Sequence, residues 1–156
     1  MPGVDGDFGR FLRNARRRRG MTQRALAQLS GVHQPTIAAI ETGRRRPTET
    51  VRSALVAAVR LRPSEALHIH RDQVRAVIER HRGADPMVFG SVARGEDTVE
   101  SDLDLMVTFE PGTTDLADLL ELVEELEEIT GVRVEVISGR AGGPVVERAR
   151  HEAVPL

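Results

Sequence analysis

The sequence predicts two domains: an all-α bundle of short helices followed by an α/β (α+β) domain with a small mixed sheet. The first observation is charge. Residues 1–62 contain 13 arginines and four acidic residues, a net charge of +9, whereas residues 63–156 contain nine arginines and 20 acidic residues, a net charge of −11. The second is periodicity, because the apolar spacing changes from helical to strand-like near residue 87. Such a split favours two domains with different partners.

The boundary between the two domains is predicted where Arg62-Pro63-Ser64 interrupts the helical pattern. We therefore expect a helical domain over residues 1–62, a linker or helix over 63–70 and the α/β domain over 71–156.

The first half has the apolar spacing of four short helices. They are predicted at Phe8–Arg19, at Gln23–Leu29, from Gln34-Pro35 to Thr42-Gly43, and at Val51–Leu61. Thr22 is suited to cap the second helix, and Pro35 suits the first position of the third. The core is predicted from Phe11, Leu12, Ala15, Ala25, Leu26, Leu29, Ile37, Ile40, Leu55, Val56 and Val59.

The second half alternates helices and strands, which is typical of an α/β layer. The predicted order is a helix over 64–81 with an interruption near His70, strands over 87–89 and 103–109, a helix over 115–130, a strand over 132–137, and a last short helix after Gly142-Gly143-Pro144. The helix over 115–130 is strongly amphipathic. Its core face is predicted from Leu116, Leu119, Leu120, Val123, Leu126 and Ile129.

Composition excludes several classes of protein. The chain has no cysteine, which excludes disulfides and thiolate metal sites. No apolar run approaches the length needed to span a membrane, and the first residues do not resemble a signal peptide. A cytoplasmic location without membrane contact is therefore expected.

A short helix, a tight turn at Ser30-Gly31-Val32 and a second short helix with a basic surface form a helix-turn-helix pattern. The second helix of such a pair enters the DNA major groove, while the first crosses the backbone. Thr22 to Gly43, with its TQ..LA…G and I..IE.G…P portions, resembles the phage-repressor-like (XRE/Cro-C1-type) family of DNA-binding domains. The resemblance covers about residues 8–62.

This resemblance implies which side chains meet operator DNA. The implied DNA-binding residues are Gln23 at a phosphate, Gln34 and Thr36 at the groove, and Arg44, Arg45 and Arg46 at the backbone. Phosphate contacts set affinity and register rather than sequence choice. Pro35, Ala38 and Ala39 stand where family members often carry longer polar side chains. A domain used for dimerisation or partner contact remains the alternative.

A glycine–serine turn followed by two aspartates carries the chemistry of the second half. After a predicted strand, Gly90 removes side-chain bulk and Ser91 starts a short helix whose N–H groups suit a phosphate. Asp102 and Asp104 lie two residues apart on the next strand, so they share a face at a separation of about 7 Å. Paired carboxylates beside a phosphate site suit Mg²⁺-dependent phosphoryl transfer, because Mg²⁺ prefers oxygen ligands.

The Gly-Ser, ten-residue spacer, Asp-x-Asp pattern resembles the polymerase-β-type nucleotidyltransferases, in particular the minimal nucleotidyltransferase (MNT) group. The resemblance extends from about Arg71 to Leu156. It implies that Asp102 and Asp104 are catalytic metal ligands, together with a third carboxylate from a neighbouring strand, for which Glu135 is the candidate. Family members usually have aspartate at this place, and an exposed strand residue is the alternative interpretation of Glu135.

The same resemblance implies that Gly90, Ser91 and Arg94 bind the nucleotide. Arg94 would neutralise phosphate charge. A structural ion pair with an acid such as Glu96 or Asp97 is the alternative.

Fusion of a minimal catalytic domain to a repressor-like domain is similar to the MNT antitoxins of HEPN–MNT toxin–antitoxin systems. The resemblance implies ATP as donor, Mg²⁺ as cofactor, and AMP transfer to a tyrosine of a HEPN-type toxin encoded nearby. It also implies autoregulation through operator DNA, and a homo-oligomer or a hetero-oligomer with the toxin. Two alternatives stay open: an antitoxin or regulator that acts by binding alone, and a nucleotidyltransferase that modifies a small molecule.

Overall fold

The computed structural model describes residues 4–156, with side chains described from Phe8 onward. The chain divides into two compact units, one ending at Arg60 and the other beginning at Leu61. The predicted fold class is confirmed, since a helical unit is followed by an α/β unit with a four-stranded mixed sheet. Within the described residues, no helix combines the length and apolarity required to cross a lipid bilayer.

The first unit is built from four helices whose starts are set by local hydrogen bonds. They are α1 (Val4–Arg18), α2 (Gln23–Ser30), α3 (Gln34–Glu41) and α4 (Glu49–Val59). The Thr22 hydroxyl accepts a 3.0 Å hydrogen bond from the Ala25 amide at the start of α2. The Thr48 hydroxyl does the same for the Val51 amide at the start of α4, at 3.3 Å. These caps satisfy amides that a helix start leaves without a partner.

The core of the first unit is a single apolar cluster. Its buried members are Phe8, Leu12, Leu26, Ile37, Ile40, Leu55 and Val59. Two expectations were wrong, because Phe11 is exposed and Leu29 is 62 % exposed. On α1 the pair Phe8 and Leu12, one turn apart, occupies the core side instead of Phe11. On the short helix α2, Leu26 makes the core contact, and Leu29 lies outside it.

The second unit contains four helices and four strands. They are α5 (Pro63–Arg80), β1 (Gly83–Phe89), α6 (Gly90–Arg94), β2 (Leu103–Phe109), α7 (Leu116–Thr130), β3 (Val134–Ser138), α8 (Pro144–Glu152) and β4 (Val154–Pro155). The interruption expected in the first of these helices is present as a kink at His70. The sheet order is β3-β2-β1-β4. Strand β1 is antiparallel to β2 and β4, whereas β2 and β3 are parallel.

Helices α5 and α7 contribute the main core together with one face of the sheet. The fully buried side chains include Val74 and Ile78 of α5, Leu103, Leu105 and Val107 of β2, and Leu122 and Leu126 of α7. Because side chains alternate along a strand, Asp104, Met106 and Thr108 lie on the other face of β2. Helix α8 packs there through Val146 and Ala149 against Met106. The stretch around Asp104 is therefore separated from the main core.

The expected core face of α7 was partly wrong. Leu116 is 72 % exposed and Leu120 is 57 % exposed, whereas Leu122, Leu126 and Thr130 are buried. Burial of a threonine is possible because its hydroxyl donates a 2.7 Å hydrogen bond to the Leu126 carbonyl. Helix α7 therefore has two apolar faces that overlap. The face with Leu116 and Leu120 is exposed, and the buried face ends at the polar residue Thr130.

Candidate active site

The end of β1 and the start of β2 meet at a glycine. Phe89 is the register partner of Asp104 on the neighbouring strand. Gly90, the next residue, has a φ of 68°, and a Cβ built on it would lie 2.2 Å from the Asp104 Oδ2 atom. Only glycine adopts this conformation easily and leaves room for the carboxylate. The sequence Gly90-Ser91 therefore places a carboxylate directly against the backbone of the turn.

Replacing Gly90 with alanine is expected to displace the Asp104 carboxylate and to cost about 1 kcal/mol or more through the positive φ alone. Any activity that depends on the Asp104 carboxylate should fall with little loss of helix. Thermal unfolding and initial rates measure the two effects. The matched control is Gly142→Ala, since a Cβ on Gly142 has open space and the φ there is not positive. Wild-type rates in the Gly90 variant would contradict this account of the turn.

The carboxylates of Asp102, Asp104 and Glu135 lie near one another. Asp104 is on β2, Glu135 is on β3, and Asp102 is the residue before β2. Asp104 is the register partner of Glu135 on the parallel strand β3. Adjacent strands lie about 4.8 Å apart, so these two side chains begin close together. Asp102 immediately precedes β2, and Leu103 between the two aspartates is fully buried. Asp102 also lies 3.6 Å from the Arg133 guanidinium.

The electrostatics of Asp104 show that negative charge is concentrated here. Burial raises the pKa of Asp104, and the negative charges of Glu135, Asp102 and Glu152 raise it further, to about 6. The positive charge of Arg94 acts in the opposite direction. The protein thus holds a carboxylate in surroundings that disfavour its ionised form.

Replacing Glu135 with glutamine is expected to lower the pKa of Asp104, because it removes the strongest of the nearby negative charges. The size of Glu135 is retained. Carboxyl ¹³C resonances followed against pH in metal-free protein measure the change. Glu110→Gln, at an exposed position just beyond the other end of β2, is the control and should leave the titration unchanged. An unchanged Asp104 titration in the Glu135 variant would show that the charge of Glu135 does not act on Asp104.

Arg94 is held by two acids on the other side of Gly90. Its Nε donates to Glu96 at 3.0 Å, and its Nη1 donates to Glu152 at 2.8 Å. The second oxygen of Glu152 accepts a hydrogen bond from the Gly90 amide at 3.2 Å. Asp97, the other acid considered for Arg94, is instead buried and accepts from the Ser64 amide at 2.9 Å.

Glu152 was missed by the sequence reasoning. It lies on α8, 62 residues after Gly90, and no local motif links it to the turn. The hydrogen bond from Arg94 lowers the pKa of Glu152. The fold, through the packing of α8 on the sheet, is what brings it to the site.

The donor chemistry of the site fits a divalent cation. Asp102, Asp104 and Glu135 offer the carboxylate oxygens that Mg²⁺ prefers. The like charges that raise the pKa of Asp104 would be compensated by a cation. Among the described residues, no group of three histidine, cysteine, aspartate or glutamate side chains is placed to hold a metal ion. The fit to a cation therefore rests on the donor types and on the negative charge around Asp104, not on a preformed set of ligands.

Among the residues predicted to contact DNA, two pairs are joined by side-chain hydrogen bonds. Gln34 on α3 donates to the Gln23 side chain at 2.9 Å, so a hydrogen bond links the N-terminal ends of α2 and α3. Thr36 accepts a 3.4 Å hydrogen bond from Arg45. Arg44, Arg45 and Arg46 follow α3 and are exposed.

A buried ion pair connects the helices that carry these predicted DNA contacts. Glu41, at the end of α3, accepts hydrogen bonds from Arg16 at 2.6 and 2.9 Å and from Gln23 at 2.9 Å. Arg13 donates to the Glu41 carbonyl at 2.9 Å. The carboxylate thereby joins α1, α2 and α3. Gln23 therefore has an internal structural role in addition to its predicted phosphate contact.

Residues 70–152, more than half of the chain, match the nucleotidyltransferase domain family. The chain belongs to this family. Residues 7–69 match a helix-turn-helix domain family. The order of the two matches along the chain is the order of the two units, and the nucleotidyltransferase match covers every residue of the carboxylate site.

Similar proteins support the assignment. The chain is 35 % identical over 91 residues to "Putative protein adenylyltransferase MJ1379" of Methanocaldococcus jannaschii, covering 57 % of this chain and 91 % of that protein. It is 38 % identical over 71 residues to "Protein adenylyltransferase MntA" of Thermococcus cleftensis, covering 46 % and 68 %. A solved "Structure of putative minimal nucleotidyltransferase" has a TM-score of 0.53 and 44 % identity, covering 60 % of this chain and 95 % of that one. These relatives support a nucleotidyl-transfer role for the second unit.

Proposed function

We propose that the chain is an antitoxin enzyme that transfers AMP from ATP to a partner toxin and represses transcription of its own operon. The observation that carries the proposal is the position of Asp104, between the Gly90 turn and Glu135 on the next strand. Fusion to a helix-turn-helix unit supports the regulatory part. The relatives named as protein adenylyltransferases favour a protein acceptor.

In this proposal, Asp102, Asp104 and Glu135 hold Mg²⁺, and Gly90, Ser91 and Arg94 hold the triphosphate. Bound Mg²⁺ would neutralise phosphate charge and orient the acceptor and leaving oxygens. The acceptor hydroxyl oxygen attacks the α-phosphorus, a carboxylate of the site takes the hydroxyl proton, and pyrophosphate leaves with the bonding electrons. The acceptor–phosphorus bond formed replaces the bond broken between the α- and β-phosphates.

The helical unit would place α3 in the major groove, with Gln34 and Thr36 at the bases. Arg44, Arg45 and Arg46 would contact phosphates, which contribute affinity at any sequence. The Glu41 network would hold α2 and α3 in a fixed relation as they bind.

The test is incubation with α-labelled ATP, Mg²⁺ and the product of the adjacent gene. Transfer of label to a tyrosine of that product, lost in Asp102→Ala/Asp104→Ala, is the expected result. Because this chain has no tyrosine, AMP linked to tyrosine cannot come from self-modification. Neutralisation of the partner that survives the double substitution would identify a protein acting by contact alone. Label found only on a small molecule would identify a nucleotidyltransferase that modifies small molecules.

A further inference from the structure

The two oxygens of the Glu152 carboxylate bind Gly90 and Arg94, the first and last residues of α6. One accepts from the Gly90 amide at 3.2 Å, and the other accepts from Arg94 at 2.8 Å. A backbone amide and a guanidinium are both donors that proteins commonly use for phosphate oxygens. Glu152 therefore presents to these donors what a phosphate would present: two anionic oxygens.

We propose that Glu152 is the internal ligand of the nucleotide site: it occupies the Gly90 amide and Arg94 in the nucleotide-free protein and gives them up when the triphosphate binds. The inference rests on the proposed function. Under it, Glu152 sets the affinity for nucleotide without contacting the reacting atoms, so it is a positioning residue.

The surroundings of Glu152 allow exchange of its side chain without movement of its helix. Val146 and Ala149 hold α8 by packing on Met106. Immediately after Glu152, Val154 pairs with Val88 at the sheet edge. The backbone is thus fixed on both sides of Glu152. Its partner Arg94 is by contrast half exposed.

Charge also favours displacement of Glu152 over retention. Arg94 is neutralised by two acids, Glu96 and Glu152, so it offers little net charge to a phosphate while both remain. Asp104 and Glu135 add negative charge nearby. A triphosphate entering beside all of these carboxylates would be repelled unless Glu152 moved away. Removing its charge should therefore strengthen nucleotide binding.

The test compares wild type, Glu152→Gln and Glu147→Gln by calorimetric titration with ATP plus Mg²⁺ and with inorganic triphosphate plus Mg²⁺. Glu147 is an exposed glutamate on the same helix and serves as the matched control. An exposed ion pair is worth up to about fivefold in an equilibrium constant. We expect Glu152→Gln to bind both ligands about fivefold more tightly and Glu147→Gln to match wild type.

A second readout follows the side chain itself. Addition of ATP and Mg²⁺ to wild type should shift the Glu152 carboxyl ¹³C resonance, and Glu152→Gln should shift the Gly90 amide before any ligand is added. Thermal unfolding shows whether the variant remains folded.

The outcomes separate the inference from the function beneath it. Binding by wild type, with equal or weaker binding by Glu152→Gln, overturns the inference and leaves the proposed function standing. A Glu152 resonance that is unmoved at saturating ATP does the same even if the variant is unfolded. Absence of nucleotide binding in all three proteins overturns both.

Discussion

Replacing Asp104 with asparagine is expected to reduce the rate of nucleotidyl transfer by about 10²–10³-fold, the loss typical of removing one preorganised electrostatic group from an active site. Asparagine keeps the size of the side chain but removes the charge that lies between the Gly90 turn and Glu135. Initial rates of pyrophosphate release measure the effect. Asp72→Asn, at an exposed position of α5, is the control and should retain the wild-type rate.

The same variant should be more stable than wild type at neutral pH when no metal is present. The pKa of Asp104 in the folded protein, about 6, lies above its ordinary value, so the folded state binds this proton more tightly than the unfolded state. Stability from this group is therefore present at low pH and is lost as pH rises through 6. Asparagine cannot ionise and avoids that loss. A variant that is both active and less stable would contradict the role given to Asp104.

Replacing Glu41 with alanine is expected to destabilise the helical unit by about 3–5 kcal/mol, the cost of removing one partner of a buried ion pair. The Glu41 side chain is 1 % exposed, and that of its partner Arg16 is 11 % exposed. Without the carboxylate, the Arg16 charge and the Gln23 amide lose their acceptor. A unit of about 60 residues has little stability to spare. Urea unfolding followed by circular dichroism measures the change.

Two further variants define the cause. Glu49→Ala removes an exposed glutamate of the same unit and should cost less than about 1 kcal/mol. Glu41→Gln retains a hydrogen-bonding side chain and should lie between Glu41→Ala and wild type. Equal stability of Glu41→Ala and Glu49→Ala would show that the buried pair contributes nothing.

The pH dependence of the helical unit follows from the same pair. Burial acts to raise the pKa of Glu41, but hydrogen bonds from Arg16 and Gln23 and the charges of Arg16 and Arg13 outweigh it, so the net pKa is lowered. A lowered folded pKa gives stability that is present above the ordinary pKa of glutamate and is lost as pH falls through the folded value. Glu41→Gln should be free of that acid-dependent loss.

Sequence reasoning located most elements because their signals are local. The second strand, at Leu103–Phe109, has buried apolar residues at every second position, and both of its ends agree with the prediction. The four residues that begin β1 were missed. A register irregularity between Ala84 and Met87 interrupts their pairing, and no alternating pattern marks them. The two-residue strand β4 was also missed, since it exists only through its pairing with β1.

The choice between faces of one helix could not be made from the helix alone. On α7, leucines at 116 and 120 fit the helical period as well as the residue that is buried, Leu122. The position of the sheet decides between the stripes, and a buried hydroxyl at Thr130 is invisible to a hydrophobic pattern.

In the candidate site too, residues of a local motif could be predicted, whereas a residue distant in sequence could not. Gly90, Asp102 and Asp104 belong to one short motif and could be predicted, and their catalytic roles stay predictions. Glu152 reaches the turn from 62 residues away, and only the fold reveals it.

The late position of Glu152 bears on the order in which a growing polypeptide gains its properties on the ribosome. The helical unit has its own core and is translated first, and domains commonly fold in that order. Asp102 and Asp104 emerge next, then Glu135, and α8 only afterwards. A nascent chain would therefore present a folded, strongly cationic segment to nucleic acid before Arg94 has met its second counter-ion.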